Sequence, residues 1–360
     1  MSVEGSLVVG LEALTDFSDG CYLAYPHTNG FMQDGRLVVG RVRPGFVDLE
    51  VLDPHTRNLV PLKSFPEEEL QESEKFLWFD VALDDDRVAV CAGNWVYCLN
   101  PSKTGLGVVK YRHRNQFPPP GGQLPSIRRD GLSILFECRE SRRYRMNRLD
   151  LDSDQVRCVV EFEWLANHFQ YSPFDPGWIG VAHEGATETV SDRVWAVHSE
   201  EAALGKCLFD QTGSGLYLGH ERWCFDRLSC LVVAYGESPG GPRGVYECFP
   251  RSGEMHLVSE GDRDWHVNVS VDGRWVVVDT AGPSDRAGRG WQDAGQVSDI
   301  LVICRRSGER RFLARVGRAK CHPRHPHPAF SRDGSWIYFN DADPIGEGNR
   351  VCRMRNPFTF

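Results

Sequence analysis

Three histidines lie within six residues towards the C-terminal end of the chain, in the segment Cys321-His322-Pro323-Arg324-His325-Pro326-His327-Pro328. Because proline fixes φ and lacks a backbone donor, this segment is predicted to be extended and not helical. Alternate residues of an extended chain lie on the same side, which would bring His325 and His327 together. Neutral imidazoles bind divalent transition metals, and carboxylate or water could complete the coordination shell. The segment therefore predicts a metal site, with a solvated loop as the alternative.

A second group of polar residues lies in the middle of the chain, in the stretches 183–185, 191–195 and 219–223. Arg193 carries a planar guanidinium, which can bind a carboxylate through two parallel hydrogen bonds. His220 can accept or release a proton near neutral pH. These residues predict acid–base chemistry on an anionic substrate, and a structural ion pair is the alternative interpretation of Arg193.

The elements that would position these residues form a repeat that runs through the chain. Each copy has a polar turn, most often Asp-Gly, followed by a strand in which apolar and polar residues alternate. Asp-Gly supplies the positive φ angles of a two-residue hairpin turn, and the alternating strand would bury one face. Seven copies cover residues 31–40, 81–90, 127–136, 169–181, 221–235, 269–278 and 330–339. Each unit is therefore predicted to be a small antiparallel sheet.

Seven such sheets predict an all-β fold, a seven-bladed β-propeller that occupies residues 1–360 as a single domain. A radial arrangement protects the sheet edges by closing into a ring, whereas the alternative is a two-sheet sandwich of repeated hairpins. In a propeller the first strand of each blade lines the central channel, so equivalent blade starts converge at one end of it. Four histidines occupy such positions, namely His168, His220, His266 and His327.

Composition limits the classes of partner and the cellular location. The 360 residues are 41% apolar and carry a net charge of -9, which makes nucleic acid an unfavourable partner. No window of 18 residues is apolar enough to span a bilayer, and residues 1–5 lack the pattern of a secretory signal. The 12 cysteines form no C-x-x-C pair and many have apolar neighbours, as expected of reduced core residues. We therefore expect a cytoplasmic protein with no membrane partner.

The polar stretches also carry a family resemblance. Residues 167–173, 182–185, 192–195, 219–221, 266–270 and 325–328 stand in the same order and at similar spacing as motifs of one family. On these motifs the sequence resembles the oligogalacturonate lyase family of polysaccharide lyases, over essentially the whole chain. The resemblance implies a seven-bladed propeller that degrades short pectin fragments by β-elimination, with a divalent metal that is commonly manganese.

The resemblance also implies a ligand set for that metal. The family holds its metal with three histidines and one glutamine, and the matching histidines here are His266, His325 and His327. His322 stands where the family has the glutamine, and we include it among the predicted ligands. Imidazole is bulkier and softer than an amide oxygen, so this departure bears on both the metal preference and the fit of the substrate.

The remaining site residues follow from the same motifs. By resemblance His220 is the general base and Arg193 holds the carboxylate of the sugar, while His168, His183 and Arg222 are expected to contact the substrate. For His168 taken alone, an ordinary hydrogen-bonded role is the alternative. The predicted partner is thus a uronic-acid oligosaccharide, and the predicted enzyme is a carbon–oxygen lyase.

These roles agree with the chemistry of β-elimination. The reaction removes the proton next to the uronate carboxylate and leaves a 4,5-unsaturated uronate, so a metal and an arginine on that carboxylate would stabilise the developing charge. The chain offers no evident pair of carboxylates for a glycoside hydrolase and no G-x-S-x-G motif for a peptidase. Two alternatives stay open: a lyase acting on a different uronic-acid oligosaccharide, and a non-catalytic propeller that binds a partner.

Overall fold

The structure is a computed structural model that describes residues 10–101, 107–119, 123–200, 205–286 and 290–359. Residues 1–5, on which the expectation about a secretory signal depends, lie outside the described residues. Within the described ranges, no helix has both the length and the apolar character needed to cross a bilayer. The three helices found there are single 3-10 turns, at Phe17–Asp19, Glu67–Glu69 and Trp291–Asp293.

The described strands form seven four-stranded antiparallel sheets. The first strand, β1 (Glu12–Ala13), belongs to the last sheet. Blades 1 to 3 then contain β2 (Cys21–Tyr22), β3 (Leu37–Arg43), β4 (Phe46–Leu52), β5 (Leu59–Pro66); β6 (Phe79–Val81), β7 (Val88–Ala92), β8 (Trp95–Asn100), β9 (Val108–Arg114); and β10 (Ser126–Ile127), β11 (Ser133–Glu140), β12 (Arg143–Asp150), β13 (Gln155–Phe162).

The remaining four blades repeat this arrangement. Blades 4 and 5 contain β14 (Ala166–Tyr171), β15 (Trp178–His183), β16 (Val194–His198), β17 (Lys206–Phe209); and β18 (Leu218–Trp223), β19 (Cys230–Ala234), β20 (Gly244–Cys248), β21 (Met255–Glu260). Blades 6 and 7 contain β22 (Asp264–Val269), β23 (Trp275–Thr280), β24 (Val297–Cys304), β25 (Arg310–Gly317); and β26 (Ala329–Phe330), β27 (Trp336–Ala342), β28 (Asn349–Arg355).

The ring is closed by strands from the two ends of the chain. Strand β1 pairs antiparallel with β28, with Glu12 opposite Arg353 and Ala13 opposite Cys352. First strands of neighbouring blades also lie against each other, as β6 does with β10, β10 with β14, β18 with β22 and β22 with β26. The prediction of an all-β, seven-bladed propeller is therefore confirmed, and the first strands surround the axis.

The Asp-Gly turns confirm one part of the hairpin prediction and correct another. Gly273 has φ +70°, and its N–H donates to the carbonyl of Ser270. The Ser270 N–H donates in turn to the carbonyl of Trp275, so the loop has four residues and not the two that we predicted. The Asp272 carboxylate accepts from the Ser270 hydroxyl and from the N–H of Arg274, which stabilises the wider loop. Only the glycine needs positive φ there.

Apolar side chains hold adjacent blades together. Between blades 5 and 6, Leu231 and Val233 of β19 pack with Val276 and Val278 of β23, and all four are fully buried. The apolar residues of the alternating pattern that predicted the strands thus fill the space between the sheets. The polar residues of the first strands are left facing the axis.

Candidate active site

Irregularities in three first strands set the direction of three of the predicted histidine side chains. The pairing of β14 with β15 shifts between Asn167 and Gln170, around His168, and β18 shifts in the same way around His220. The shift in β22 lies around His266. Bulges re-aim side chains, and His168 and His220 have positive φ angles of 52° and 53°. Such strained backbone is found at functional sites more often than elsewhere.

The loop between β25 and β26 carries the other three histidines. Asn340 of β27 anchors this loop, because its side-chain amide donates to the carbonyl of His325 at 2.9 Å and its N–H donates to that of Pro326 at 2.7 Å. His327 has φ 45°, so it is not part of a regular extended run. The segment is not helical, as predicted, but the predicted extended run was wrong, because residues 322–323 form a turn and the Arg324 N–H donates to the carbonyl of Cys321. This folded loop brings His322, His325 and His327 to one place.

The four predicted metal ligands form a single cluster. One ring nitrogen of each of His266, His322, His325 and His327 lies within 4.8 Å of the corresponding nitrogen of the others. The rings of His322 and His325 are 4.3 Å apart between centroids, and those of His266 and His327 are 4.6 Å apart. His266 and His327 are fully buried and His325 is nearly so.

The cluster has the protonation and orientation that a metal site requires. Asp279 accepts from Nδ1 of His266 at 2.9 Å, which leaves the Nε2 lone pair free to bind. That Nε2 and both ring nitrogens of His325 and His327 have no hydrogen-bond partner among the described residues. Burial, followed by the neighbouring imidazoles, holds the pKa of each of these three histidines well below its usual range, so the rings are neutral. The residues present therefore fit a divalent transition metal.

Replacing Asp279 tests this orientation. Asp279→Asn should weaken metal binding by roughly 10-fold to 100-fold, the usual effect of losing a carboxylate behind a ligating histidine. Metal affinity would be measured by competition with a chromophoric chelator. Asp272→Asn, which alters a turn of the same blade, serves as the control. Equal affinities in Asp279→Asn and wild type would show that the carboxylate does not orient His266.

His220 lies directly beside the cluster. Its ring centroid is 4.2 Å from that of His266. Its Nδ1 lies 2.6 Å from the carbonyl oxygen of Trp265, which can only accept, and 3.1 Å from the hydroxyl of Tyr235. Nδ1 therefore carries the hydrogen and Nε2 carries the lone pair. Burial, with the nearby His168, lowers the pKa of His220 to about 3, so this nitrogen is unprotonated at neutral pH.

Arg193 has the ion pair that we considered as the alternative to a substrate contact. Its Nη2 lies 3.1 Å from Oε2 of Glu184, and Nε and Nη1 each donate at 2.7 Å to the carbonyls of Leu218 and Gly185. The residue is 6% exposed. Three of its donors are thus used inside the protein, and only the second hydrogens of Nη1 and Nη2 are available for another acceptor.

The three predicted substrate contacts lie in different places. The Nδ1 atom of His168 lies 3.3 Å from Oε1 of Glu221. His183 donates or accepts at 2.9 Å with Asp192 and packs on a tryptophan ring. Arg222 is buried, donates to the carbonyl of His27 and lines a different cavity, near β26. The geometry therefore does not bring Arg222 to the histidine cluster.

Several residues at the site were missed by the sequence analysis. Tyr25 contacts the rings of both His266 and His327, and Asp279 orients the cluster. A carboxylate that directly follows the apolar strand residues 276–278 is a signal that could have identified Asp279. Tyr25 precedes the first repeat at the start of a blade, the position already recognised as important in later blades.

Arg318 is the missed residue with the most direct bearing on an anionic substrate. Its guanidinium carbon lies 4.1 Å from the ring centroid of Trp291, and that ring lies 5.2 Å from the ring of His325. The side chain is 5% exposed and its Nη1 has no hydrogen-bond partner among the described residues. Its charge also acts on His266 and His325. Arg318 therefore offers an uncommitted donor beside the cluster.

An open cleft adjoins the cluster on the side of His322. It has a volume of about 760 Å³ and is lined by His322, Phe17, Phe76, Lys75 and Arg324 among others. Ligand sites commonly have volumes of about 300 to 1,000 Å³. The charged part of the lining is mixed, since Glu67, Glu74 and Glu347 accompany Arg43, Lys75 and Arg324. The cleft therefore offers aromatic surface for a sugar chain, and its lining alone does not select an anionic one.

Comparison with known proteins gives sequence relatives for part of the chain. Over 208 residues the chain is 24% identical to the oligogalacturonate lyase of Dickeya dadantii and to the oligogalacturonide lyase of Pectobacterium atrosepticum. The match covers 55% of this chain and 53% of each relative, so it spans about half the length of these proteins. No protein-family model matches the chain.

Solved structures match nearly the whole chain. The oligogalacturonate lyase of Vibrio parahaemolyticus has a TM-score of 0.79 at 17% identity, with 97% of this chain and 94% of that chain covered. An oligogalacturonate lyase in complex with manganese also gives 0.79, at 18% identity and with 98% and 95% covered. The WD40 domain of Neurospora crassa Pan2 gives 0.56 at 14% identity, covering 98% of each chain, so the fold alone does not assign an activity. The chain thus resembles oligogalacturonate lyases in sequence over about half its length, and shares the seven-bladed propeller of such enzymes over nearly all of it.

Proposed function

We propose that this protein is a metal-dependent lyase that cleaves short oligogalacturonides by β-elimination and leaves an unsaturated uronate. The observation that carries the proposal is the position of His220, whose Nε2 is unprotonated. Its ring centroid lies 4.2 Å from that of His266, one of the four clustered histidines that fit a metal. The similarity in sequence and fold to oligogalacturonate lyases supports the same reaction and substrate class.

The proposed metal ligands are His266, His322, His325 and His327. Manganese is the proposed ion because a structure with the same fold is an oligogalacturonate lyase in complex with manganese. A divalent metal held there would supply Lewis-acid stabilisation of charge on the uronate carboxylate. Four imidazoles also suit zinc, iron, nickel and copper, so the choice of ion is open to direct measurement.

His220 is the proposed base. The carbonyl of Trp265 fixes the hydrogen on Nδ1, so Nε2 is the atom that would accept the proton from the carbon next to the carboxylate. Tyr235 contacts the same Nδ1 and is a positioning residue for the ring. The electron pair of the broken C–H bond forms the new carbon–carbon double bond, and the bond to the glycosidic oxygen breaks. That oxygen leaves with its electron pair and takes up a proton from water. A hydrogen-bonded ring of fixed tautomer is the arrangement that this step requires.

The substrate carboxylate needs cationic partners other than the metal. Arg193, proposed for this role by resemblance, can use only its two remaining Nη hydrogens because Glu184 and two carbonyls take the others. Arg318 has an unpartnered Nη1 beside the cluster, so we propose that it shares the carboxylate with Arg193. His183 and His168 stay proposed contacts for other groups of the substrate.

The role of Arg318 gives a testable prediction. Arg318→Lys keeps the charge but loses the planar fork, so kcat/KM should fall roughly 10-fold to 100-fold through the loss of one charge-assisted hydrogen bond. The effect should appear mainly in KM. Arg311→Lys is a matched control, because Arg311 also packs on an aromatic ring, that of Phe358, but is exposed and donates to the carbonyl of Pro357. Unchanged kinetics in Arg318→Lys would remove Arg318 from the substrate site.

Isotope labelling separates elimination from hydrolysis. Trigalacturonate would be incubated with the metal-loaded protein in ¹⁸O-water and the products weighed by mass spectrometry. Elimination adds no water, so the product masses should sum to that of the substrate. In an incubation too short for reducing-end oxygens to exchange with the solvent, the products should also contain no ¹⁸O. Uptake of ¹⁸O at the cleaved bond would contradict the proposed reaction.

A second candidate function is elimination on a different uronic-acid oligosaccharide. His322 favours it, because this imidazole is both part of the cluster and part of the cleft wall. Its bulk would change the shape available to the sugar next to the metal. Cleavage of another uronide at a higher kcat/KM than galacturonides would select this alternative.

A further inference from the structure

The ring of Tyr25 joins the four-histidine cluster to a second group of metal-ligating side chains. This group consists of His27, His168 and Glu221, and one ligand atom of each lies within 4.8 Å of the other two. The Tyr25 ring centroid is 4.7 Å from that of His27 and 5.3 Å from that of His327. The two groups are therefore neighbours that share no ligand.

His27 is a buried imidazole whose polar atoms are not satisfied by the protein. It is 4% exposed, and neither ring nitrogen has a hydrogen-bond partner among the described residues. Its backbone is anchored, because the carbonyl accepts from Arg222. Buried polar groups in proteins are nearly always bonded, so an unpartnered imidazole in this position is a candidate ligand for an ion.

The spacing of His168 and Glu221 fits two ligands of one ion. The distance of 3.3 Å between Nδ1 and Oε1 is within ion-pair range but exceeds the roughly 2.7–2.9 Å of a charge-assisted hydrogen bond, and Nδ1 forms no hydrogen bond within the described part of the chain. Two atoms held at about 2.1 Å from a shared ion are themselves about 3.0–3.4 Å apart. A simple ion pair between His168 and Glu221 would leave His27 unexplained.

The electrostatic surroundings favour a cation. Glu184 and Glu221 lie close enough to act on His168 with negative charge, whereas burial raises the pKa of Glu137 to about 7. Two cations lie nearby: Arg193 is paired with Glu184, and the charge of Arg222, which acts on His27, is countered by Asp80. A divalent cation among the three ligands would therefore offset carboxylate charge at a place where the protein is largely closed to solvent.

We propose that His27, His168 and Glu221 form a second divalent metal site. Two imidazoles and one carboxylate are a ligand set typical of zinc and of iron(II), with water in the remaining positions. His168, which the family resemblance assigns to substrate binding, would then bind this second ion. The proposal concerns metal content alone, so it stands or falls separately from the lyase reaction.

Metal counting tests the second site. The full-length chain would be stripped with a chelator, reloaded with Zn²⁺, desalted and measured by plasma mass spectrometry. We expect about two ions per chain in the wild type, and about one in His27→Leu. His325→Ala should also hold about one ion, and the double variant should hold almost none. His256→Ala, on the exposed strand β21, is the control and should match wild type.

A titration of the wild type keeps the test valid if His27→Leu does not fold. Stripped protein titrated with Co²⁺ should show two successive phases in visible absorption, and His325→Ala should retain one of them. A single phase that His325→Ala removes completely would overturn the second site, as would wild-type metal content in folded His27→Leu. If instead His325→Ala keeps its full metal content while His27→Leu loses an ion, the four-histidine site of the proposed function fails and the second site stands.

Discussion

His220→Ala should lower kcat/KM on oligogalacturonide by about 10² to 10⁴-fold, the usual contribution of a positioned general base. The metal content should stay at the wild-type level, because His220 is not one of the four clustered ligands. The variant keeps the backbone of β18 but removes the only unprotonated ring nitrogen that we assign to proton abstraction. Activity and metal content would be measured on the same preparation.

The matched control for His220 is Tyr235→Phe. It removes the hydroxyl that lies 3.1 Å from Nδ1 but leaves the ring and its bond to the Trp265 carbonyl. A smaller loss is expected from Tyr235→Phe than from His220→Ala, since the base itself is intact. Full turnover in His220→Ala would exclude this residue as the base.

His325→Ala should lose the metal of the four-histidine cluster and leave the fold intact. His325 lies in the loop between β25 and β26 and not in the packed core of a blade, and neither of its ring nitrogens forms a hydrogen bond with a residue that the structure describes. No protein hydrogen bond is therefore broken when the ring is removed. Without the metal, turnover should be lost as well, because the carboxylate would lack its Lewis acid.

Thermal unfolding separates metal loss from misfolding. A ligand that binds only the native state raises Tm, so added Mn²⁺ should stabilise the wild type and have little effect on His325→Ala. In excess chelator the two proteins should unfold at similar temperatures, while His256→Ala should follow the wild type under both conditions. A large drop in Tm for His325→Ala in chelator would mean that the segment is mainly structural.

Much of the fold was predictable because each blade repeats the same local rule. The alternating strands and the glycine at each turn are set by residues close together in sequence, as the Ser270–Trp275 loop illustrates. The predicted length of this loop was wrong because the Asp272 carboxylate accepts hydrogen bonds from Ser270 and Arg274. An Asp-Gly pattern does not reveal these side-chain contacts. The cluster of His266 with the 322–327 segment followed from blade starts that meet at the axis.

The parts that could not be predicted depend on irregular backbone and on burial. In a regular strand His220 and Arg222 would lie on the same face, but the bulge between Gly219 and Arg222 separates them. Arg222 is consequently turned to another cavity. Arg318 and His27 come from connections between strands, and nothing in their local sequence indicates that they are buried beside the histidines.

The most direct test of the proposed reaction is the ultraviolet absorbance of the unsaturated uronate product. Stripped protein would be mixed with di- and trigalacturonate, with Mn²⁺ added and then with chelator in excess. We predict a rise in absorbance that requires the metal and stops when the chelator is added. A flat trace from protein that has bound its metal, with galacturonides and with other uronic-acid oligosaccharides alike, would contradict the proposed lyase and favour a non-catalytic propeller.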